Sequence, residues 1–361
     1  MQENKFQIDF ATPTFRDWEK NVQQELGNNL SWQNLIKEKA GLTIKPYYDS
    51  RDSVKERKIK IESFGGLISC QNVPKVIVTD NATANQEALT HLNTGADGIY
   101  FKIQANLTSR EILLKDIEML FCSLLFQEEN DSSEFLNFFA NFVNKKSEKE
   151  KISGAFFWKD FPSVDFDWAQ FINWNNFKVG GICVAENKNI VDEIVDALCK
   201  AVETLDHLNK NGYTEMRAFQ TLAFSISVGT DFFLSIAKIR ALKNLWLTLQ
   251  EAYQIKNPTM AFVHVDSRVW RHDDFQPHGN LIKQTFGAMA AILGGGNALS
   301  IEPEDPKNSM LARVARNVLS ILKEESYFSK VNDPLAGAFY VDALTHQIAH
   351  EAWKKFQLRM G

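Results

Sequence analysis

From about residue 75 onward, short apolar runs rich in β-branched letters alternate with longer stretches whose apolar letters recur at helical spacing. The runs cover residues 75–79, 98–103, 119–126, 152–158, 179–185, 222–228, 260–266 and 298–302. Their letters are nearly continuous rather than alternating, as expected of strands covered on both faces. Helical spacing marks residues 84–93, 134–144, 190–208, 231–253, 280–293 and 310–322. Strand and helix taking turns in this way predict βαβ units and a parallel sheet. Eight such repeats in about 250 residues predict an α/β fold of the (β/α)8 TIM-barrel type. An open doubly wound sheet would give the same pattern, because periodicity does not reveal whether the first and last strands pair.

The flanks differ. Trp18, Val22 and Leu26 suit a helix, Leu30 and Trp32 a turn, and residues 42–47 an extended stretch. Residues 1–66 therefore read as an N-terminal arm with a role in dimerisation, and residues 67–361 as the barrel. Residues 342–356, with Ala343, Leu344, Ile348 and Trp353 on one side, predict a C-terminal closing helix.

A chain of 361 residues with 44% hydrophobic letters can bury a large core. Its 27 phenylalanines fit thick layers between sheet and helices, and they also make a plugged barrel plausible. A net charge of -5 argues against a polyanionic partner, so nucleic acid is not expected. Cys70, Cys122, Cys183 and Cys199 form no Cys-x-x-Cys pair and read as small hydrophobes of a reducing compartment. The first residues carry no signal-peptide core and no run approaches a membrane span, so a cytoplasmic protein without a membrane partner is expected.

Few motifs carry chemistry. Gly294-Gly295-Gly296 precedes a strand, which suits a helix C-cap rather than a dinucleotide fingerprint. Neither a phosphate-binding P-loop nor a Gly-x-Ser-x-Gly elbow is present. The most polar candidate is His264, Asp266, Ser267 and Arg268, followed by Arg271, His272, Asp273, Asp274 and His278, where the seventh strand meets its loop. Barrel enzymes place their groups there. His264 could serve as acid or base and Arg268 or Arg271 as an anion clamp; a solvated loop with surface ion pairs accounts for the same letters. His207 is expected to cap a helix end or to interact with its dipole. His346 and His350 lie four residues apart but lack a third ligand, so no metal site is expected. Glu324-Glu325 could act as an acid–base pair, although bonding arginines is the simpler role.

Longer segments carry a resemblance. Phe232-Phe233 through Lys238, Arg240 and Trp246 resembles a segment of the cobalamin-dependent acyl-CoA mutases. So do Gly279-Asn280 through Thr285 to Gly294-Gly295, Ala312-Arg313 through Arg316-Asn317 to Glu324-Glu325-Ser326, and Asp333-Pro334 through Gly337 to Tyr340-Val341. Trp18, Leu30-Ser31-Trp32 and Gly41 to Tyr48 match in order, so the chain resembles the methylmalonyl-CoA mutase family over most of its length.

That resemblance implies a barrel whose catalytic members thread the coenzyme A tail along the axis. Adenosylcobalamin caps it, and methylmalonyl-CoA interconverts with succinyl-CoA by radical chemistry. Four departures follow from the same comparison. The Asp-x-His-x-x-Gly motif whose histidine ligates cobalt is not found before Gly361, so a cobalamin-binding domain is expected to be absent. The Tyr-His pair at the end of a middle strand aligns to Val184-Ala185. The Arg-Thr-His segment of catalytic members retains only His264 and a small hydroxyl residue, Ser267. The carboxylate-clamping Arg-Gln-Tyr-Ala-Gly segment has no counterpart between Asp52 and Gly65. Together these losses predict a small, non-catalytic subunit with no catalytic residue assigned: His264, Asp266 and Arg268 remain as a degenerate pocket. The expected partner is a large catalytic subunit holding adenosylcobalamin, in a heterodimer wrapped by residues 6–35; a homodimer is expected for the chain alone. The alternative is the substrate barrel of a split mutase completed by a separate cobalamin-binding subunit. A weaker alternative is a barrel that senses another acyl-CoA.

Overall fold

The apolar runs fold into a parallel sheet in the computed structural model, which describes residues 13–27, 30–52, 70–104, 109–129, 133–145, 148–161, 166–267, 279–306, 308–328, 330–331 and 333–361. Two short strands, β1 (Lys37–Lys39) and β2 (Leu42–Ile44), form an antiparallel hairpin outside it. The sheet comprises β3 (Gln71–Asn72), β4 (Lys75–Val78), β5 (Gly98–Ile103), β6 (Ser123–Glu128), β7 (Ser153–Trp158), β8 (Phe177–Cys183), β9 (Leu222–Ser227), β10 (Phe262–Ser267) and β11 (Ala298–Ile301). Its order runs β3-β11-β10-β9-β8-β7-β6-β5-β4.

β3 and β4 are two parts of one strand. Pro74 has no N–H to give to a ladder, and the strand breaks at Val73-Pro74. Before the break, Val73 N donates to Leu299 O of β11 (3.0 Å); after it, Tyr100 N of β5 donates to Pro74 O (2.9 Å). One segment thus joins the first neighbour to the last. The sheet closes into a (β/α)8 barrel, and the open doubly wound alternative falls away.

The described helices are α1 (Phe15–Leu26), α2 (Asn81–Asn93), α3 (Glu134–Asn144), α4 (Ile190–Lys210), α5 (Glu215–Thr221), α6 (Phe232–Ala252), α7 (Gly279–Gly294), α8 (Ser309–Glu324) and α9 (Phe339–Met360). Side-chain caps start several of them: Asp80, Asn189, Asp231 and Asn308 each accept a backbone N–H of the first turn. The glycine cluster is the expected C-cap. Gly295 takes φ +85° just beyond α7, and its neighbour Gly296 donates to Ala291 O at 2.8 Å.

Outward strand residues such as Val76, Phe101, Phe126 and Phe156 are fully buried beneath the helices. Phe126 lies 5.7 Å from Phe101, 5.0 Å from Phe135 and 4.9 Å from Phe139 between ring centroids. The phenylalanine richness is thus spent mainly on the layer between sheet and helices. Gly154 on β7 takes φ +150°, and a Cβ there would lie 1.8 Å from Leu124 O of β6.

Two sequence expectations need correction. The run at 119–126 begins as a strand only at Ser123, because buried Met119 belongs to the preceding turn. Helix α5 is missed by periodicity, since seven residues span barely two turns. The N-terminal segment packs in part on the barrel: Leu42 is fully buried in the main core, Lys39 pairs with Asp231 at 2.5 Å, and Tyr48 lies 5.1 Å from Tyr340 of α9. Helix α1 buries none of its residues, but Trp18 packs against Trp32 (4.5 Å) and Tyr47 (4.9 Å). Residues 6–12 and 28–29 of the expected wrapping segment (residues 6–35) lie outside the described residues.

Candidate functional site in the barrel lumen

Alternation along the strands aims every second side chain into the barrel. On β10 this selects His264, flanked by Ser225 from β9 and Ser300 from β11. His264 Nδ1 lies 2.8 Å from Ser225 Oγ, and Nε2 lies 2.8 Å from Ser300 Oγ. Ser300 in turn donates its hydroxyl to Val73 O at 2.6 Å. That donation commits the serine's proton, so Nε2–H must donate to Ser300 Oγ and Nδ1 must accept from Ser225. The imidazole is locked as one neutral tautomer.

Burial agrees with the bonding. His264 has no exposed surface. Loss of solvation pushes its pKa down to about 4, with Asp266 pulling upward and Lys75 adding to the depression. Tyr100 stacks its ring edgewise at 4.8 Å from the imidazole and donates its hydroxyl to Gln127 Oε1 at 2.7 Å. Phe157 lies 5.6 Å from His264 on the remaining side. Leu125, Ala155 and Ala223 complete a lumen layer without exposed surface.

One residue pair further along, Asp266 accepts from Lys75 Nζ at 2.8 Å, with Glu302 at 3.6 Å from the same amine. Both Lys75 and Asp266 are largely buried, so this pair draws β4 toward β10 across β11. Of the expected pocket, then, the structure brings His264 and Asp266 into the lumen but commits each to a structural partner. Arg268, Arg271, His272, Asp273, Asp274 and His278 lie outside the described residues.

Other candidates land elsewhere. His207 wedges between Phe161 (5.2 Å) and Trp168 (5.8 Å), and burial lowers its pKa. The end of α4 is bonded by Asn211, whose Nδ2 donates to His207 O at 2.8 Å. His346 and His350 stack 6.0 Å apart on α9, and no group of three metal-ligating side chains exists among the described residues. Glu324 and Glu325 are exposed. The carboxylate that holds an arginine here is Asp333, 2.7 Å from Arg240. Val184 is buried and donates its backbone N–H to Ser225 O (2.9 Å).

Sequence reasoning passed over Ser225, Ser300, Tyr100 and Gln127. Their signal was a polar letter every second position inside runs that otherwise look continuously apolar.

A family profile described as methylmalonyl-CoA mutase matches residues 163–358. A protein named methylmalonyl-CoA mutase small subunit from Porphyromonas gingivalis is 30% identical over 312 residues, covering 78% of this chain and 50% of the relative. Its namesake from Propionibacterium freudenreichii subsp. shermanii is 31% identical over 173 residues, 46% of this chain and 27% of that one. The chain therefore spans half or less of the length of these relatives. Among solved structures, a Yersinia pestis dihydropteroate synthase (DHPS) superposes with a TM-score of 0.39 at 11% identity, over 72% of this chain and 95% of that one.

Proposed function

We propose, from the premise that this chain belongs to the methylmalonyl-CoA mutase family, that it is the small, non-catalytic subunit of an adenosylcobalamin-dependent methylmalonyl-CoA mutase. In this reading a large partner subunit interconverts methylmalonyl-CoA and succinyl-CoA, and this barrel buttresses the partner's.

The observation that carries the reading is the filled lumen. An acyl-CoA tail running along the axis would have to pass the layer of His264, Tyr100, Phe157 and Leu125, none of which exposes more than 2% of its surface. Displacing His264 would also break its bonds to Ser225 and Ser300. Close-packed interiors yield little to such an intrusion.

The described histidines do not fit cobalt ligation. Both nitrogens of His264 are engaged, while His91, His207, His346 and His350 lie on helices of the outer layer. No step through the cofactor is assigned to this chain, and adenosylcobalamin is placed with the partner.

An association surface supports the same reading. Phe232 links Phe286 (5.9 Å) to Phe233 (5.2 Å), which meets Tyr340 at 5.2 Å. Ile282 and Phe286 on α7 are 62% and 49% exposed, an apolar density that marks protein contacts more than solvent. No described helix is long and apolar enough to cross a membrane.

The test is co-expression with a large mutase subunit, followed by size exclusion and assay. Co-elution, with turnover in the complex and none in the isolated chain given adenosylcobalamin, is the expected result. Turnover by the isolated chain, or failure to co-elute, overturns the proposal.

A further inference from the structure

We infer that the outer layer of the barrel, between the β7–β8 crossover and α4, holds a binding site for a small neutral hydroxy-aromatic molecule, recognised through His207. This site is separate from the lumen.

Its origin lies in the crossover. Among the described residues, the chain between β7 and β8 carries a 3₁₀ turn (Trp168–Phe171) in place of an α-helix. Aromatic rings fill that layer incompletely. They leave a cavity of about 210 Å³ lined by Trp158, Phe161, Ile182, Lys200, Thr204 and His207.

Most of the polar groups on these walls are committed. The Trp158 indole donates to Val179 O at 2.7 Å, and the Thr204 hydroxyl donates to Lys200 O at 2.8 Å. Lys200 Nζ donates to Asp160 Oδ1 at 2.9 Å and to the Lys159 carbonyl. His207 Nε2 is different: it is buried without a hydrogen-bond partner among the described residues. Such an atom destabilises the fold until something bonds it. His207 is itself a lining residue, and the broad second torsion of an imidazole allows the small adjustment by which Nε2 would meet an occupant's hydroxyl.

The walls specify the occupant. Lys159 and Lys200 are balanced at the rim by Asp160 and Glu203, so no net charge favours an ion. Trp158 and Phe161 favour a flat ring. A cavity of about 150 Å³ accommodates benzene, so this one accommodates the ring with a substituent. A hydroxyl can either donate or accept, and it therefore satisfies Nε2 in whichever tautomer His207 adopts.

The experiment titrates the full chain with phenol and with toluene, which matches it in size but lacks the hydroxyl. Binding is followed through the ¹⁵N shifts of the His207 ring. Phenol is expected to bind at least about tenfold tighter than toluene and to move the Nε2 resonance, about one hydrogen bond's worth of discrimination. His207→Phe should erase the preference while keeping toluene binding. Equal affinities in the unmodified chain, or no binding of either probe at millimolar concentration, overturns the assignment. If His207→Phe fails to fold, the phenol–toluene comparison and the nitrogen shift in the unmodified chain still decide it.

Discussion

Arg240 reaches across 93 residues to Asp333, its Nη2 lying 2.7 Å from Oδ1 and 2.9 Å from Leu293 O. This one guanidinium binds α6 to the end of α7 and to the segment entering α9. It is almost fully buried, so Arg240→Met strands Asp333 and the Leu293 carbonyl. Removing one partner of such a pair costs about 3–5 kcal/mol. A lower urea midpoint, with faster proteolysis around residues 333–338, is the expected outcome; an unchanged midpoint would show the pair to be dispensable.

Lys238 and Glu193 set a second test. Their charged atoms lie 2.8 Å apart, both nearly fully buried, and Lys238 also donates to Ser227 O at 2.5 Å. Burial raises the Glu193 pKa even against the pull of Lys238. Lys238→Met alone leaves a buried carboxylate and should cost about 3–5 kcal/mol, whereas Lys238→Met with Glu193→Leu should recover most of that loss. A double-mutant cycle with additive effects would refute the coupling.

His264 gives a pH signature. An unfolded chain protonates an ordinary histidine near pH 6.5, but the folded ring takes its proton only near pH 4. Between those values the unfolded state binds more protons, so stability is whole above pH 6.5 and falls as pH drops toward 4, by ~3 kcal/mol in all. Urea midpoints measured from pH 7.5 to 4 should show this loss in the native chain and a shallower one in His264→Gln. Identical slopes in both would place the acid sensitivity elsewhere.

Gly154→Ala should be among the most damaging small substitutions. The added methyl would stand 1.8 Å from Leu124 O, backbone that cannot swing aside, at a φ of +150° that alanine resists. Loss of more than about 4 kcal/mol, or of soluble expression, is expected. Gly212→Ala meets nothing within 4 Å, although its φ is +88°, and should cost only a modest fraction of that, chiefly from backbone strain.

The barrel was legible because strands buried on both faces leave continuous apolar runs, and helices beside them leave a different period. Its seam was not: Gln71-Asn72 is too short and polar to announce a strand, yet it decides whether the sheet closes. His264 stood out as a lone imidazole in an apolar run, but its meaning depended on Ser225 and Ser300, brought beside it by register rather than by proximity in the chain. Arg240 and Asp333 could be quoted as parts of a motif without their pairing being visible, since 93 residues separate them.

Closing the ring couples folding to the order in which the chain emerges. The lumen bond from Ser300 to Val73 spans 227 residues, so during synthesis the strand at residues 71–78 waits with one edge unpaired until β11 appears. Contacts of that range are slow to form, and an open strand edge invites pairing with other chains. Nascent chains that stall before Ala298 should therefore be the aggregation-prone species of this protein.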